Sequence, residues 1–156
     1  MRRIAAVAAL VCAVLGLGIA AAIATPPKDS TRTDIARAAM RSAADLHIDQ
    51  GQETTVHHVT IAPGGSSGWH THPGAGMFLV MSGTLTNYGL DGPACQGVDV
   101  PAGQAYFAPP HAHHPHLVAN RGKEPLELTV IYFNVPPGQP SRTDAEAPAE
   151  CPADLR

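Results

Sequence analysis

The chain has 156 residues, 44% of them hydrophobic and 15% charged, with 10 Lys and Arg against 13 Asp and Glu, for a net charge of −3. That length suits one domain with a single core, and the acidic balance argues against nucleic acid or an anionic membrane surface as a partner. The three cysteines contain no Cys-x-x-Cys spacing, which argues against a zinc ribbon or a redox dithiol.

Arg2 and Arg3 precede an uncharged apolar run from Ile4 to Ala24, closed by Ala22-Ile23-Ala24 and followed by Thr25-Pro26-Pro27-Lys28. A basic start, an apolar middle and a small-x-small site describe a secretory signal peptide over residues 1–24. An uncleaved N-terminal anchor is the alternative, because the run is long enough to span a bilayer; only then would a membrane be a partner. Cleavage after Ala24 leaves 132 residues with eight basic and thirteen acidic side chains, a net −5. It also places the protein outside the cytoplasm, secreted or in the cell envelope. Cys95 and Cys151 then remain, an even pair in an exported chain. Paired, they would close a 56-residue loop, worth about 4 kcal/mol by chain entropy; two free thiols are the alternative.

Residues 25–44 read as a linker and a short helix. Thr31-x-x-Asp34 resembles a helix cap, and the Ala-rich stretch from Ile35 to Ala44 suits a helix from about 33 to 44. From residue 45 to 136 the pattern is short β-type runs punctuated by Gly and Pro. The runs are Gln52–Ala62, Gly76–Ser82, Thr84–Tyr88, Gln96–Val100, Gln104–Ala108, His116–Ala119 and Leu126–Val135. Such spacing predicts an all-β antiparallel barrel or sandwich. Residues 137–156 form a Pro- and Ala-containing tail, read as irregular and held by Cys151 if at all.

Two His-x-His pairs stand out, His70-Thr71-His72 and His114-Pro115-His116. On a strand, residues i and i+2 share a face, so both rings of a pair can lean onto one ion at about 2.0–2.2 Å. His70, His72, His116 and His114 are therefore the candidate metal ligands. His111 and His113 in the Pro-flanked loop, and His57 on the same strand face as Val59 and Ile61, are further candidates; His58 points the other way. Each has an ordinary alternative as a hydrogen-bonded imidazole. Trp69 is read as core or subunit packing, Phe78 and Val80 as apolar lining, and Asn120 as a turn residue.

These features resemble the cupin superfamily, whose first motif has the form Gly-x5-His-x-His-x(3,4)-Glu-x6-Gly. Gly64, His70, His72 and Gly83 match it. The second motif, Gly-x5-Pro-x-Gly-x2-His-x3-Asn, is matched by Gly103, Pro109, His116 and Asn120, with two extra residues between its halves. The resemblance covers residues 46–136 and implies a small cupin β-barrel or jelly roll, in which homodimers are common. Where the family carries its glutamate ligand, this chain has Gly76, and no acid lies between His72 and Asp91. Deleting that side chain is expected to leave room for a ligand, with His114 the first substitute for the fourth position.

The resemblance further implies a divalent transition metal, one of Fe, Mn, Ni, Cu or Zn, and a small-molecule substrate, with dioxygenase chemistry among the possibilities. No carboxylate stands near as a general base, so Lewis-acid or oxygen chemistry is easier to support than proton abstraction. A non-catalytic small-molecule binder and a metal-free structural barrel are the alternatives.

Overall fold

A computed structural model describes residues 27–89, 93, 95–110 and 114–155. The chain divides into two units, Met1–Thr33 and Asp34–Arg156. Residues 27–33 of the first are exposed and carry no strand or helix. The segment read as a signal peptide lies outside the described residues.

The second unit is all-β. Its strands are β1 (Ala39–Met40), β2 (Glu53–Ile61), β3 (His70–Thr71), β4 (Gly76–Ser82), β5 (Thr84–Tyr88), β6 (Val98–Pro101), β7 (Gln104–Ala108), β8 (Leu117–Ala119), β9 (Leu126–Val135) and β10 (Thr143–Asp144). A 3-10 turn at Ala153–Leu155 is the only helical element among the described residues. Hydrogen bonding arranges the strands as a five-stranded sheet β1-β7-β4-β9-β2, a three-stranded sheet β6-β5-β8 and a two-stranded pair β10-β3. The expected closed barrel is thus a jelly-roll arrangement of separate sheets that do not join into one cylinder.

The expected N-terminal helix over 33–44 is absent. Ala39 and Met40 instead pair in parallel with Gln104 and Ala105, through Ala39 N to Gly103 O at 2.8 Å and Arg41 N to Ala105 O at 3.2 Å. A helix of a dozen residues is marginal alone, and this one has little apolar face to bury: Ile35 stays exposed. The edge of β7 offers the backbone its hydrogen bonds instead.

Alternation accounts for the core. Every second residue of β9 through Tyr132 is buried, so Leu126, Leu128, Val130 and Tyr132 point inward. They meet Phe78 and Val80 of β4, Leu85 of β5, Val100 of β6 and Val118 of β8. Tyr106 faces in while Phe107 lies half-buried on the other side of β7. A second cluster packs Trp69, Leu117 and Ala119 against Cys151 and Leu155 of the tail. The Cys95–Cys151 disulfide is formed, and the Trp69 indole N–H donates to the Leu155 carbonyl. The tail is therefore part of the fold. Asn120 donates to the Ile61 and Glu124 carbonyls at 2.8 Å each and accepts from Gly122 N at 3.0 Å, the turn role its position implied.

Candidate functional site

Backbone pairing brings the histidines of the two motifs together. His70 and His116 form an isolated antiparallel bridge, exchanging N–H···O bonds of 2.9 Å in both directions. Residues directly opposite in such a pair present their side chains side by side on one face, and the two rings lie with centroids 4.3 Å apart. His72 follows His70 by two and stays on that face, its ring 5.2 Å from His116 and 6.5 Å from His70. All three are at most 1% exposed.

Each ring is anchored through Nδ1. His70 Nδ1 lies 3.0 Å from the Gly68 carbonyl, His72 Nδ1 reaches the Gly74 carbonyl, and His116 Nδ1 lies 3.1 Å from Asn87 Oδ1. A carbonyl only accepts, so these nitrogens carry the protons and Nε2 keeps its lone pair in the neutral ring. The Nε2 atoms of all three are buried, and that of His70 meets no hydrogen-bond partner. Gly74 is required where it sits: a Cβ there would stand 1.8 Å from the Phe133 carbonyl oxygen. That close approach holds the carbonyl that fixes His72.

Burial decides the protonation state. Desolvation pushes the His70 pKa down from 6.5 to about 4, with the nearby Arg142 adding in the same direction and the Gly68 hydrogen bond opposing. His72 is lowered as well, mainly by burial. Tyr132, whose ring lies 5.5 Å from His72, is raised by burial, with Arg142 opposing.

Three buried Nε2 lone pairs backed by Nδ1–H···O anchors are the donor set a divalent transition ion takes from histidine. Imidazoles sharing one ion at about 2.1 Å place their centroids roughly 4.5 Å apart at 90° and about 5.3 Å at the tetrahedral angle. Only the His72–His116 separation, 5.2 Å, falls in that range, and the His70–His116 rings at 4.3 Å are slightly closer than it. The His70–His72 pair is wider, and among the described residues no group of three or more His, Cys, Asp or Glu side chains is placed so as to hold a metal ion as they stand.

His114 is exposed, and no described hydrogen bond or ring contact joins it to the other three. His111 and His113 lie outside the described residues. His57 stands at the edge of the site, 3.0 Å from Thr55 Oγ1 and edge-on to Tyr132 at 5.7 Å. His58 points away, as its parity required, and pairs with Glu127 at 2.7 Å.

The room expected at Gly76 is filled. A Cβ there would stand 2.8 Å from Phe78 Cε2 and 3.4 Å from Tyr132 Cε1. Open space lies elsewhere. A cavity of ≈ 130 Å³ reaches His70 between apolar walls that include Val59, Leu128 and Val130, with His57, Ser67, Ser141 and Arg142 on its lining. A wider cleft of ≈ 350 Å³ reaches His72 beside Thr71, Pro73 and Gln139. Among the described residues, no Asp or Glu lines either. Sequence reasoning missed Arg142, Asn87 and Ser67. Only Asn87 carried a local signal, its place two residues before the Gly-rich turn on a strand that pairs with β8.

The family model described as "Cupin domain" matches residues 57–132. No curated protein matches the chain significantly. Among solved structures, a cupin-like protein from Thermotoga maritima is 24% identical, with a TM-score of 0.51 over 62% of this chain and 68% of its own. The DMSP lyase of Ruegeria pomeroyi is 16% identical, with a TM-score of 0.50 over 64% of this chain and 47% of its own. A Klebsiella pneumoniae protein with a double-stranded beta-helix domain is 20% identical, with a TM-score of 0.49 over 65% of this chain and 90% of its own. Fold, motifs and family match agree in supporting the cupin superfamily over residues 57–132.

Proposed function

We propose that this chain is an exported metal-binding cupin in which His70, His72 and His116 hold one divalent transition ion through Nε2 and leave positions open for a small-molecule ligand. The observation that carries this reading is the common anchoring of the three rings, Nδ1 to protein oxygen and Nε2 buried in the interior. His114 is left out of the set because it is exposed. Burial keeps His70 and His72 neutral at pH 7, the state a ligand nitrogen needs. A bound ion would supply Lewis acidity or a site for dioxygen. The residues around it bind and orient: Asn87 sets the His116 ring, Gly68 and Gly74 set the other two, and Tyr132 and Arg142 border the open space. Among the described residues no carboxylate stands in the lining, which favours Lewis-acid or oxygen chemistry, or plain ligand binding, over proton abstraction by an acid side chain. The Cys95–Cys151 disulfide supports the exported location, because such bonds persist in oxidising compartments.

Elemental analysis of the purified full chain tests the metal reading. The wild type and His114→Ala are expected to carry close to one transition ion per chain, and His70→Ala/His72→Ala and His116→Ala close to none. Unchanged metal content in the double variant overturns the ligand assignment.

A further inference from the structure

The cavity beside His70 is built unevenly. Its apolar walls come from β2, β4, β8 and β9: Val59, Ile61, Phe78, Val118, Leu128 and Val130. Its polar groups fall into two hydrogen-bonded sets. Arg142 Nη2 donates to the Ser67 carbonyl at 3.0 Å, Ser67 Oγ lies 3.4 Å from His70 Nδ1, and the neighbouring Ser141 Oγ lies 3.4 Å from His57 Nε2.

Arg142 is the one permanently charged side chain on this lining among the described residues. Its backbone is set by the strand pairing next to it, Thr143 against Thr71 and Asp144 against His70, and by Ala145 N to Trp69 O at 2.9 Å. Asp144 takes one hydrogen bond from it, but that carboxylate lies in solvent, 89% exposed. Both described bonds of the guanidinium leave from Nη2. Nη1 and Nε keep N–H donors on opposite edges of the guanidinium, so either can donate a single charge-assisted bond to a carboxylate oxygen. Three neutral imidazoles leave a divalent ion its full charge, which also favours an anionic co-ligand.

We propose that the ligand of this site is a small organic monocarboxylate with one apolar substituent, its carboxylate held between the three-histidine centre and Arg142 and its substituent seated in the cavity. This rests on the metal reading above. A cavity of ≈ 130 Å³ is close to the roughly 150 Å³ voids that accept a benzene ring, so the substituent has about four to six carbons. A second carboxylate has no partner on the apolar walls and is rejected by its desolvation cost.

The test is isothermal titration calorimetry on the full chain loaded with Zn²⁺, using acetate, isovalerate, benzoate, isovaleramide and succinate, with zinc content measured on every sample. Isovalerate or benzoate is expected to bind at least about tenfold more tightly than acetate, isovaleramide and succinate. Arg142→Gln is expected to weaken isovalerate binding by about tenfold or more at wild-type zinc content. Val130→Phe, which fills the cavity, is expected to remove the preference for isovalerate over acetate, with its fold checked by thermal melting. Equal binding of amide and carboxylate, or an Arg142→Gln variant with wild-type affinity, overturns the inference while leaving the metal reading intact. Zinc content that does not depend on His70 and His72 overturns the metal reading, and the shared placement of the carboxylate falls with it.

Discussion

Gly76 occupies the place of the glutamate in the motif the chain resembles, and Gly76→Ala is the smallest probe of whether that place is open. The added Cβ would stand 2.8 Å from Phe78 Cε2, 3.3 Å from Phe78 Cζ and 3.4 Å from Tyr132 Cε1. Carbon pairs sit best at about 3.5–4.0 Å, so the Phe78 ring has to retreat by most of an ångström. It has little room to do so. Phe78 is buried, with Tyr106 at 6.4 Å, His116 at 5.9 Å and Tyr132 at 6.0 Å between ring centroids. The backbone makes no objection, since Gly76 is not among the positive-φ glycines. Replacing Gly should return about 0.4–1 kcal/mol through the unfolded chain, whereas overpacking a filled core costs about 1–3 kcal/mol.

The net expectation is a loss of about 1–2 kcal/mol, read as a lower urea midpoint at unchanged m. Phe78→Leu should relieve the clash, so the double variant should lose less than the sum of the singles by at least about 0.5 kcal/mol. A Gly76→Ala protein as stable as wild type, or strict additivity with Phe78→Leu, would refute the reasoning and restore the picture of a vacant ligand position. Gly76→Glu faces the same wall of rings with a larger side chain and should cost more.

Three further outcomes are expected. His70 resists protonation in the folded state, with a pKa near 4 against 6.5 unfolded, so its contribution to stability is full above pH 6.5 and is lost as pH falls from 6.5 towards 4. That shift corresponds to about 3 kcal/mol; urea melts of chelator-treated protein between pH 7.5 and 4 measure it, and stability that stays flat or rises on acidification contradicts it. Removing the disulfide as Cys95→Ser/Cys151→Ser should cost up to about 4 kcal/mol, or about 10 °C in melting temperature; equal melting temperatures would show that the tail is held by its packing alone. Asn87→Ala frees the His116 ring, and metal affinity should fall about 10- to 100-fold with one site retained at saturation; an unchanged Kd in a competition titration removes Asn87 from that role.

The strands best read from sequence are those where alternation and punctuation coincide. β4, β5, β7 and β9 begin and end where Gly, Pro and polar residues interrupt the apolar rhythm. β3 and β10 are too short to carry a rhythm, and their pairing joins residues more than seventy positions apart. The helix failed because Ala-rich composition states a preference that only packing realises, and an open strand edge competed for the same backbone. Among the histidines, i, i+2 parity worked for His70 and His72. It failed for His114 because Pro115 intervenes, His114 sits in a bend, and the strand starts only at Leu117. Arg142 left no trace in the pattern, since a lone Arg after a Pro-containing turn looks like any surface residue.

The missing carboxylate and the buried rings belong to one argument. A glutamate at position 76 would bring a negative charge against Phe78 and Tyr132, the rings that pack on His116 and His72. With Gly76 there and aromatic rings in its place, the Gly68 and Gly74 carbonyls and the Asp144 charge oppose, without outweighing, the desolvation that keeps His70 and His72 neutral. The cost is borne by the fold as buried nitrogens that solvent cannot reach. An ion that binds the folded state alone returns that cost by mass action, about 2.7 kcal/mol at a concentration one hundred times its Kd. Such an ion would keep both positive charges, which favours an anion from outside the protein over a neutral ligand in the positions its histidines leave.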